Sequence, residues 1–163
     1  MTVTEHASLV ALHQPDGWHG VLIQGPSGSG KSDLVLRALD IGFRLVADDR
    51  TLVWASGGHL YGRAPEALAG RLEARGLGIL TLPALRYCRI RLWVSNGQPE
   101  RLGPPAWITC QGVRVPTLLA PFLEASCATK LQHALWSLGA GAEGAYQGDL
   151  AAQIPPRSGG DSR

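Results

Sequence analysis

The stretch Gly25-Pro26-Ser27-Gly28-Ser29-Gly30-Lys31-Ser32 constrains this chain more than any other. It satisfies G-x-x-x-x-G-K-[ST] in full, a phosphate-binding loop that works only between a strand and a helix. Glycines at 25, 28 and 30 permit dihedrals closed to other residues, so that consecutive N–H groups can turn inward. With the positive end of the following helix they form a concave anion site. Lys31 would reach the β- and γ-phosphates as a point charge, and the Ser32 hydroxyl would ligate Mg²⁺. The flanks agree with this reading. Val21-Leu22-Ile23 is an apolar run of strand length, and residues 33–40 carry apolar side chains at helical spacing before Gly42. A glycine-rich surface turn with an accidental Lys-Ser would lack both flanks. The expected ligand is a purine nucleoside triphosphate, ATP, with Mg²⁺.

Composition bounds the rest. With 163 residues, 45% of them hydrophobic and 17% charged, the chain is expected to be one globular domain with a real core. A net charge of +2 makes no case for nucleic acid or a membrane surface. No apolar run reaches the ~18–20 residues of a membrane-crossing helix, and the N-terminus lacks the regions of a signal peptide. Cys88, Cys110 and Cys127 are odd in number, far apart and without C-x-x-C spacing. They read as reduced thiols of a cytoplasmic protein.

Upstream of the loop, Ala7-Ser8-Leu9-Val10-Ala11-Leu12 reads as the first strand, with His6 at its start, and Gln14-Pro15-Asp16-Gly17 is a turn by its chemistry. A hairpin feeding the loop predicts a mixed sheet. Downstream, residues 43–47 form a third strand ending in Asp48-Asp49. Carboxylates at the C-terminal end of a strand neighbouring the loop strand occupy the crevice where α/β sheets bind ligands. Side chains alternate along a strand, so the two acids are expected to divide the work, one on Mg²⁺ and one on the acceptor nucleophile. A solvated acidic turn neutralised by Arg50 is the alternative.

Residues 51–55 continue as a strand to a Ser56-Gly57-Gly58 turn, and residues 60–62 can pair back. Pro65 opens a predicted helix over 65–72. Glu73-Ala74-Arg75-Gly76-Leu77-Gly78-Ile79-Leu80 then leads a charged pair into an apolar Gly-x-Gly run. The glycines suggest close backbone approach, and Glu73 can serve as a second Mg²⁺ ligand. A plain helix-to-strand connection with an ion pair fits the same spacing. Residues 87–94 alternate as a half-buried strand, 107–109 and 113–116 are two short strands, and 121–138 carry the apolar stripe of a last helix. The expected domain is 1–139, followed by an adaptable Gly-, Ala-, Ser- and Pro-rich tail over 140–163. His13, His19, His59 and His133 lack ligand spacing and are expected at the surface.

Taken together, the loop, Leu45-Val46-Ala47-Asp48-Asp49-Arg50 and Glu73-Ala74-Arg75-Gly76-Leu77-Gly78-Ile79 are similar to the catalytic domain of HPr kinase/phosphorylase, over roughly residues 5–137. The last two elements are far more specific together than a phosphate loop alone. The resemblance implies an α/β fold, a P-loop kinase-like mixed sheet flanked by helices, of the HPr kinase/phosphoenolpyruvate carboxykinase kind. It implies a bacterial enzyme that phosphorylates a seryl hydroxyl of the phosphocarrier protein HPr with ATP and can remove the phosphate by phosphorolysis, regulating carbohydrate use through the phosphotransferase system. A homo-oligomer is expected.

The same resemblance implies the residue roles. His6 lies at the active site, Lys31 and Ser32 hold phosphate and Mg²⁺, and Asp49 takes the seryl proton and returns it in reverse. Asp48 faces the metal, Glu73 is its second carboxylate, and Arg101 stabilises phosphoryl charge. With His6 almost at the start, the chain resembles short proteobacterial forms that lack the family's N-terminal domain. Ala74 stands where longer enzymes carry isoleucine. After Val115-Pro116 a basic Gly-Arg-Asn-containing segment, linked in the family to dephosphorylation and subunit contacts, is replaced by Thr117-Leu118-Leu119-Ala120-Pro121. Those departures motivate one alternative, a nucleotide-binding regulatory module that acts through a partner protein. A small-molecule kinase would carry an arginine-rich lid, and the interval between Asp49 and Glu73 is too short for one.

Overall fold

The structure is a computed structural model that describes residues 1–101 and 103–140; from residue 141 on, the expected tail lies outside the described residues. In chain order the elements are β1 (Thr2–Glu5), β2 (Ala7–Gln14), β3 (Gly17–Gln24), α1 (Lys31–Leu39), β4 (Arg44–Ala47), β5 (Thr51–Ser56), β6 (His59–Arg63), β7 (Arg71–Ala74), β8 (Gly78–Thr81), β9 (Cys88–Asn96), β10 (Trp107–Cys110), β11 (Val113–Ala120) and α2 (Cys127–Ala140).

β2 and β3 form the hairpin that the Pro15-Asp16 turn requires, paired antiparallel from Ala7 opposite Gln24 to Gln14 opposite Gly17. Both strands are buried over most of their length, which is why they read as near-continuous apolar runs. β4 pairs antiparallel with β2, and β9 lies parallel to β3. The main sheet runs β1-β5-β6-β9-β3-β2-β4, with β11 joining β9 in parallel and β10 pairing with β11. Because β1 runs into β2 through His6, this path returns to its own starting segment, and the sheet is curled.

Alternation along the strands divides the interior in two. Val10, Leu12, Val21 and Ile23 face α1 and α2, packing with Leu34, Val35, Leu131 and Leu135. Leu9, Ala11 and Leu22 face the inside of the curl, with Val53, Leu60 and Trp93. Gly20 marks a close strand contact, since a Cβ there would lie 2.6 Å from Cys88 Sγ and 2.7 Å from the Arg89 carbonyl.

Several expectations are corrected. β1 precedes the strand expected to be first. Alternation does not hold through residues 87–94, because Gly20 pairs with Ile90 while Val21 pairs with Leu92, which makes Arg91 a bulge. Beyond it, Leu92 and Val94 join the helix-side core, whereas Cys88 and Ile90 belong to the other. The helix expected over 65–72 is a single 3₁₀ turn, Glu66–Leu68, because Ala69 is extended and Gly70 sits at φ +73°; Leu72 then enters β7. Residues 121–126 are not helical either. The Asn96 side chain accepts from Phe122 N, and the Arg37 guanidinium donates to the carbonyls of Phe122 and Glu124, so this segment is held as a turn before α2.

His13 and His133 are exposed and His59 is half-buried, but His19 is 4% exposed inside the sheet, with Nε2 2.8 Å from Asp16 Oδ1. Burial holds its imidazole below the ordinary value, and the charge of Arg91 adds to this against the pull of Asp16. Above about pH 6.5 the ring is neutral in both folded and unfolded chains, and stability is independent of it. As the pH falls below that value the unfolded chain takes up a proton that the folded chain resists, so stability declines. Urea unfolding at pH 5.5 and 7.5 should therefore show a smaller pH difference for His19→Gln than for the wild type. An equal difference would assign the acid sensitivity to another group.

Candidate active site

The strand directions explain why the expected residues meet. β2 runs antiparallel to both β3 and β4, so β3 and β4 point the same way although β2 separates them. The expected direct adjacency of the aspartate strand and the loop strand is thus corrected, while the shared C-terminal end is retained. The start of β2 lies at that same end. His6 and Ser8, the phosphate-type loop after β3, and Asp48 and Asp49 after β4 converge there.

The loop has the backbone its glycines foretell. Gly28 and Gly30 adopt φ +82° and +99°, and Ser29 N donates to the Pro26 carbonyl at 3.2 Å. A Cβ on Gly25 would lie 2.7 Å from Ser29 Oγ, so a side chain there would force the Ser29 hydroxyl to turn away. α1 begins at Lys31 with Gly30 as its cap, and no side chain satisfies its first turn. Its N–H groups are available to an anion. Lys31 is 4% exposed, its Nζ donating to the Pro26 carbonyl at 2.9 Å and standing 3.6 Å from Asp49 Oδ1.

The two aspartates do divide. Asp48 Oδ1 accepts from Ser8 Oγ at 2.8 Å and from Ser32 Oγ at 2.9 Å, while Oδ2 lies 3.1 Å from Ser32 Oγ and accepts from Glu73 N at 3.2 Å. Asp49 instead meets His6, with Nε2 2.8 Å from Oδ1, and the Lys31 amine. The separation does not arise from strand alternation, since β4 ends at Ala47. It arises from a tight turn in which Arg50 N donates to the Asp48 carbonyl at 2.7 Å and Asp49 takes φ +65°. A left-handed, γ-turn-like aspartate is strained, and such strain persists where surrounding bonds hold it. Ser8 supplies one of them, accepting from Asp49 N at 3.1 Å.

Glu73 enters through its backbone, and its side chain is exposed on the β7–β8 hairpin, which pairs Glu73 with Ile79. Gly76 and Gly78 do not mark close approach; they take positive φ at the tip, and a Cβ on either would meet nothing within 4 Å. Arg101 is exposed in the loop that follows β9 and lies outside the network joining His6, Ser8, Lys31, Ser32, Asp48 and Asp49. Ser8 is the residue that the sequence reading passed over. The signal was there, a lone hydroxyl within Ala7-Ser8-Leu9-Val10.

The donors fit a hard cation. Ser32 and Asp48 present oxygen atoms to each other, and Mg²⁺ is ordinarily held by one or two carboxylates together with phosphates and water. Glu73 would join only by turning its exposed carboxylate inward. Among the described residues no three His, Cys, Asp or Glu side chains gather into a group that could hold a metal ion.

Comparison with known proteins follows the same lines. Residues 2–87 match the HPr Serine kinase C-terminal domain family. HPr kinase/phosphorylase of Clostridium beijerinckii is 34% identical over 141 residues, covering 72% of this chain and 46% of that protein. The enzyme of the same name from Limosilactobacillus reuteri is 37% identical over 117 residues, covering 63% and 37%. The chain thus spans less than half the length of these relatives. Among solved structures, the HPr(Ser) kinase/phosphatase from Coxiella burnetii superposes with a TM-score of 0.67 at 26% identity, covering 80% of this chain and 96% of that one.

Proposed function

The chain belongs to the HPr serine kinase C-terminal domain family, and from that premise we propose that it is an ATP-dependent protein-serine kinase acting on a seryl hydroxyl of HPr. Phosphorolysis of the same phosphoserine would pass its phosphoryl group to inorganic phosphate, giving pyrophosphate and returning the proton to the seryl oxygen, and it uses the same groups. Residues 1–139 are one catalytic domain in this reading. The reading is cytoplasmic, in keeping with the absence, among the described residues, of any helix long and apolar enough to cross a membrane.

The observation that carries it is the pairing of two aspartates with different partners, Asp48 with Ser32 and Asp49 with His6 and Lys31. Binding a nucleotide calls for the loop, Lys31 and Ser32. It does not call for a second carboxylate in a strained turn beside them. Gly25 to Ser32 cradle the phosphates, and Lys31 holds the transferred group. Ser32 and Asp48, with Glu73 as the reserve carboxylate, hold Mg²⁺. Mg·ATP supplies the phosphoryl group and the charge that offsets it.

The Asp49 carboxylate orients the incoming seryl O–H and accepts its proton as the oxygen bonds to phosphorus. His6 fixes that carboxylate by its Nε2 contact, and Lys31 steadies it from the phosphate side. Orientation and charge neutralisation are most of what phosphoryl transfer needs. Arg101 can add to the charge stabilisation only if its loop folds inward on the substrates, because it does not join the network as it stands.

The test is to incubate the purified protein with Mg·ATP and HPr of the same organism and read the intact mass of HPr. One added phosphate of ~80 Da on a serine, transferred at the enzyme's turnover, is the expected result. Excess inorganic phosphate should then reverse it. Unmodified HPr in the presence of demonstrable ATP binding would overturn the kinase assignment in favour of a nucleotide-binding regulatory module.

A further inference from the structure

Ser8 lies in β2, opposite Ile23 in the register of the hairpin, and is fully buried among apolar neighbours. A hydroxyl in such a place is costly unless both its donor and its acceptor are used. Both are used here, on two consecutive residues. Its O–H donates to Asp48 Oδ1 at 2.8 Å, and its oxygen accepts from Asp49 N at 3.1 Å. One side chain thus grips the carboxylate of the first aspartate and the backbone of the second. It does so across the turn that sends them apart.

The rest of the turn shows what Ser8 adds. Asp48 keeps the Ser32 hydroxyl and the Glu73 N–H as partners without it. Beside the Asp49 backbone, among the described residues, lies the short Arg50-to-Asp48 closure, and φ +65° is a conformation that L-residues leave readily. The Asp49 end is therefore the one that Ser8 controls. Neither β2 nor the curled sheet requires a hydroxyl at this position, since the neighbouring strand positions are filled by Ala7, Leu9 and Val10.

We propose that Ser8 is a positioning residue for phosphoryl transfer, fixing the Asp49 carboxylate on the acceptor hydroxyl while leaving nucleotide binding to the loop. The proposal rests on the kinase reading for its rate effect and on the structure alone for its effect on Asp49. Ser8→Ala deletes one atom and adds none, so it is expected to fold; Ser8→Thr keeps the hydroxyl. A carboxylate displaced by about 1 Å costs of the order of 10²-fold in rate. For Ser8→Ala we expect kcat for HPr phosphorylation to fall about 10- to 100-fold, with KM for ATP within about threefold of wild type. Hydrogen exchange at the Asp49 amide should quicken by about tenfold or more, because its acceptor is gone. Ser8→Thr should restore rate and protection together.

A kcat within twofold of wild type in Ser8→Ala, a loss that appears in KM for ATP instead, or unchanged exchange at Asp49 would each overturn the proposal, as would a folded Ser8→Thr as slow as Ser8→Ala. If Ser8→Thr does not fold, the two readouts on Ser8→Ala decide. If wild-type protein leaves HPr unmodified, the acceptor assignment fails, and the exchange comparison at Asp49 still accepts or rejects the role of Ser8.

Discussion

Asp49→Asn is expected to bind Mg·ATP nearly as well as the wild type while transferring phosphate to HPr about 10²- to 10⁴-fold more slowly, the range over which a positioned acid–base group contributes. The substitution keeps the shape of the side chain and an oxygen for His6 Nε2, now 2.8 Å from Asp49 Oδ1. It removes the charge and the capacity to accept the seryl proton. Asp48 and Ser32 are untouched, so the hydrogen bond between them stands. Nucleotide affinity by fluorescence titration and single-turnover transfer followed by intact mass separate the two effects. Transfer at near wild-type rate would show that Asp49 is not the group that receives the hydroxyl. A parallel loss of affinity would move Asp49 to the phosphate-binding side, through its 3.6 Å contact with Lys31.

The pairing that this prediction exploits was only partly legible in the sequence. The loop announced itself because glycine positions and a Lys-Ser pair encode a backbone shape locally. The strands β2, β3 and β5 were legible from apolar runs and turn residues, and so was the hairpin that makes the sheet mixed. What failed depended on partners distant in sequence. The 121–126 segment has a helical stripe, but Arg37, 85 and 87 residues away, claims its carbonyls. The 65–72 stretch begins as a helix should, yet Gly70 at φ +73° turns it into β7, where Leu72 is buried. Arg91 reads as one step of an alternating strand, and only the parallel register with β3 makes it a bulge.

The site shows the same division. The separation of Asp48 and Asp49 was expected on the ground of strand alternation; their side chains do take different partners, but through a tight turn beyond the end of β4. Aspartate tolerates a positive φ better than most residues, but nothing local says which of the two takes it; the Ser8 and Arg50 bonds hold it at Asp49. His6 reached the site through family resemblance alone. Its physical reason appears only with the topology, which brings the start of β2 to the same end of the sheet as the end of β3, where Gly25 N donates to the His6 carbonyl at 3.4 Å.

Lys31→Ala should have the other large effect, and it should differ in kind from Asp49→Asn. An ammonium has three donors. In Lys31 one goes to the Pro26 carbonyl at 2.9 Å, and the 3.6 Å approach to Asp49 Oδ1 is an ion-pair contact too long to be a full hydrogen bond. Two donors remain for phosphate oxygens, on a side chain only 4% exposed, where charge acts strongly. Removing it should weaken Mg·ATP binding and slow transfer about 10²- to 10³-fold or more, since the lost contacts act on both ground and transition states. Lys31→Arg should not rescue, because a planar fork cannot occupy the room of a compact amine beneath the Pro26 carbonyl. Calorimetric titration of nucleotide with single-turnover kinetics on all three proteins provides the check. If Lys31→Ala lost rate while keeping its affinity, the amine would act on the acceptor side with Asp49, and the division between the two halves of the site would have to be redrawn around their contact.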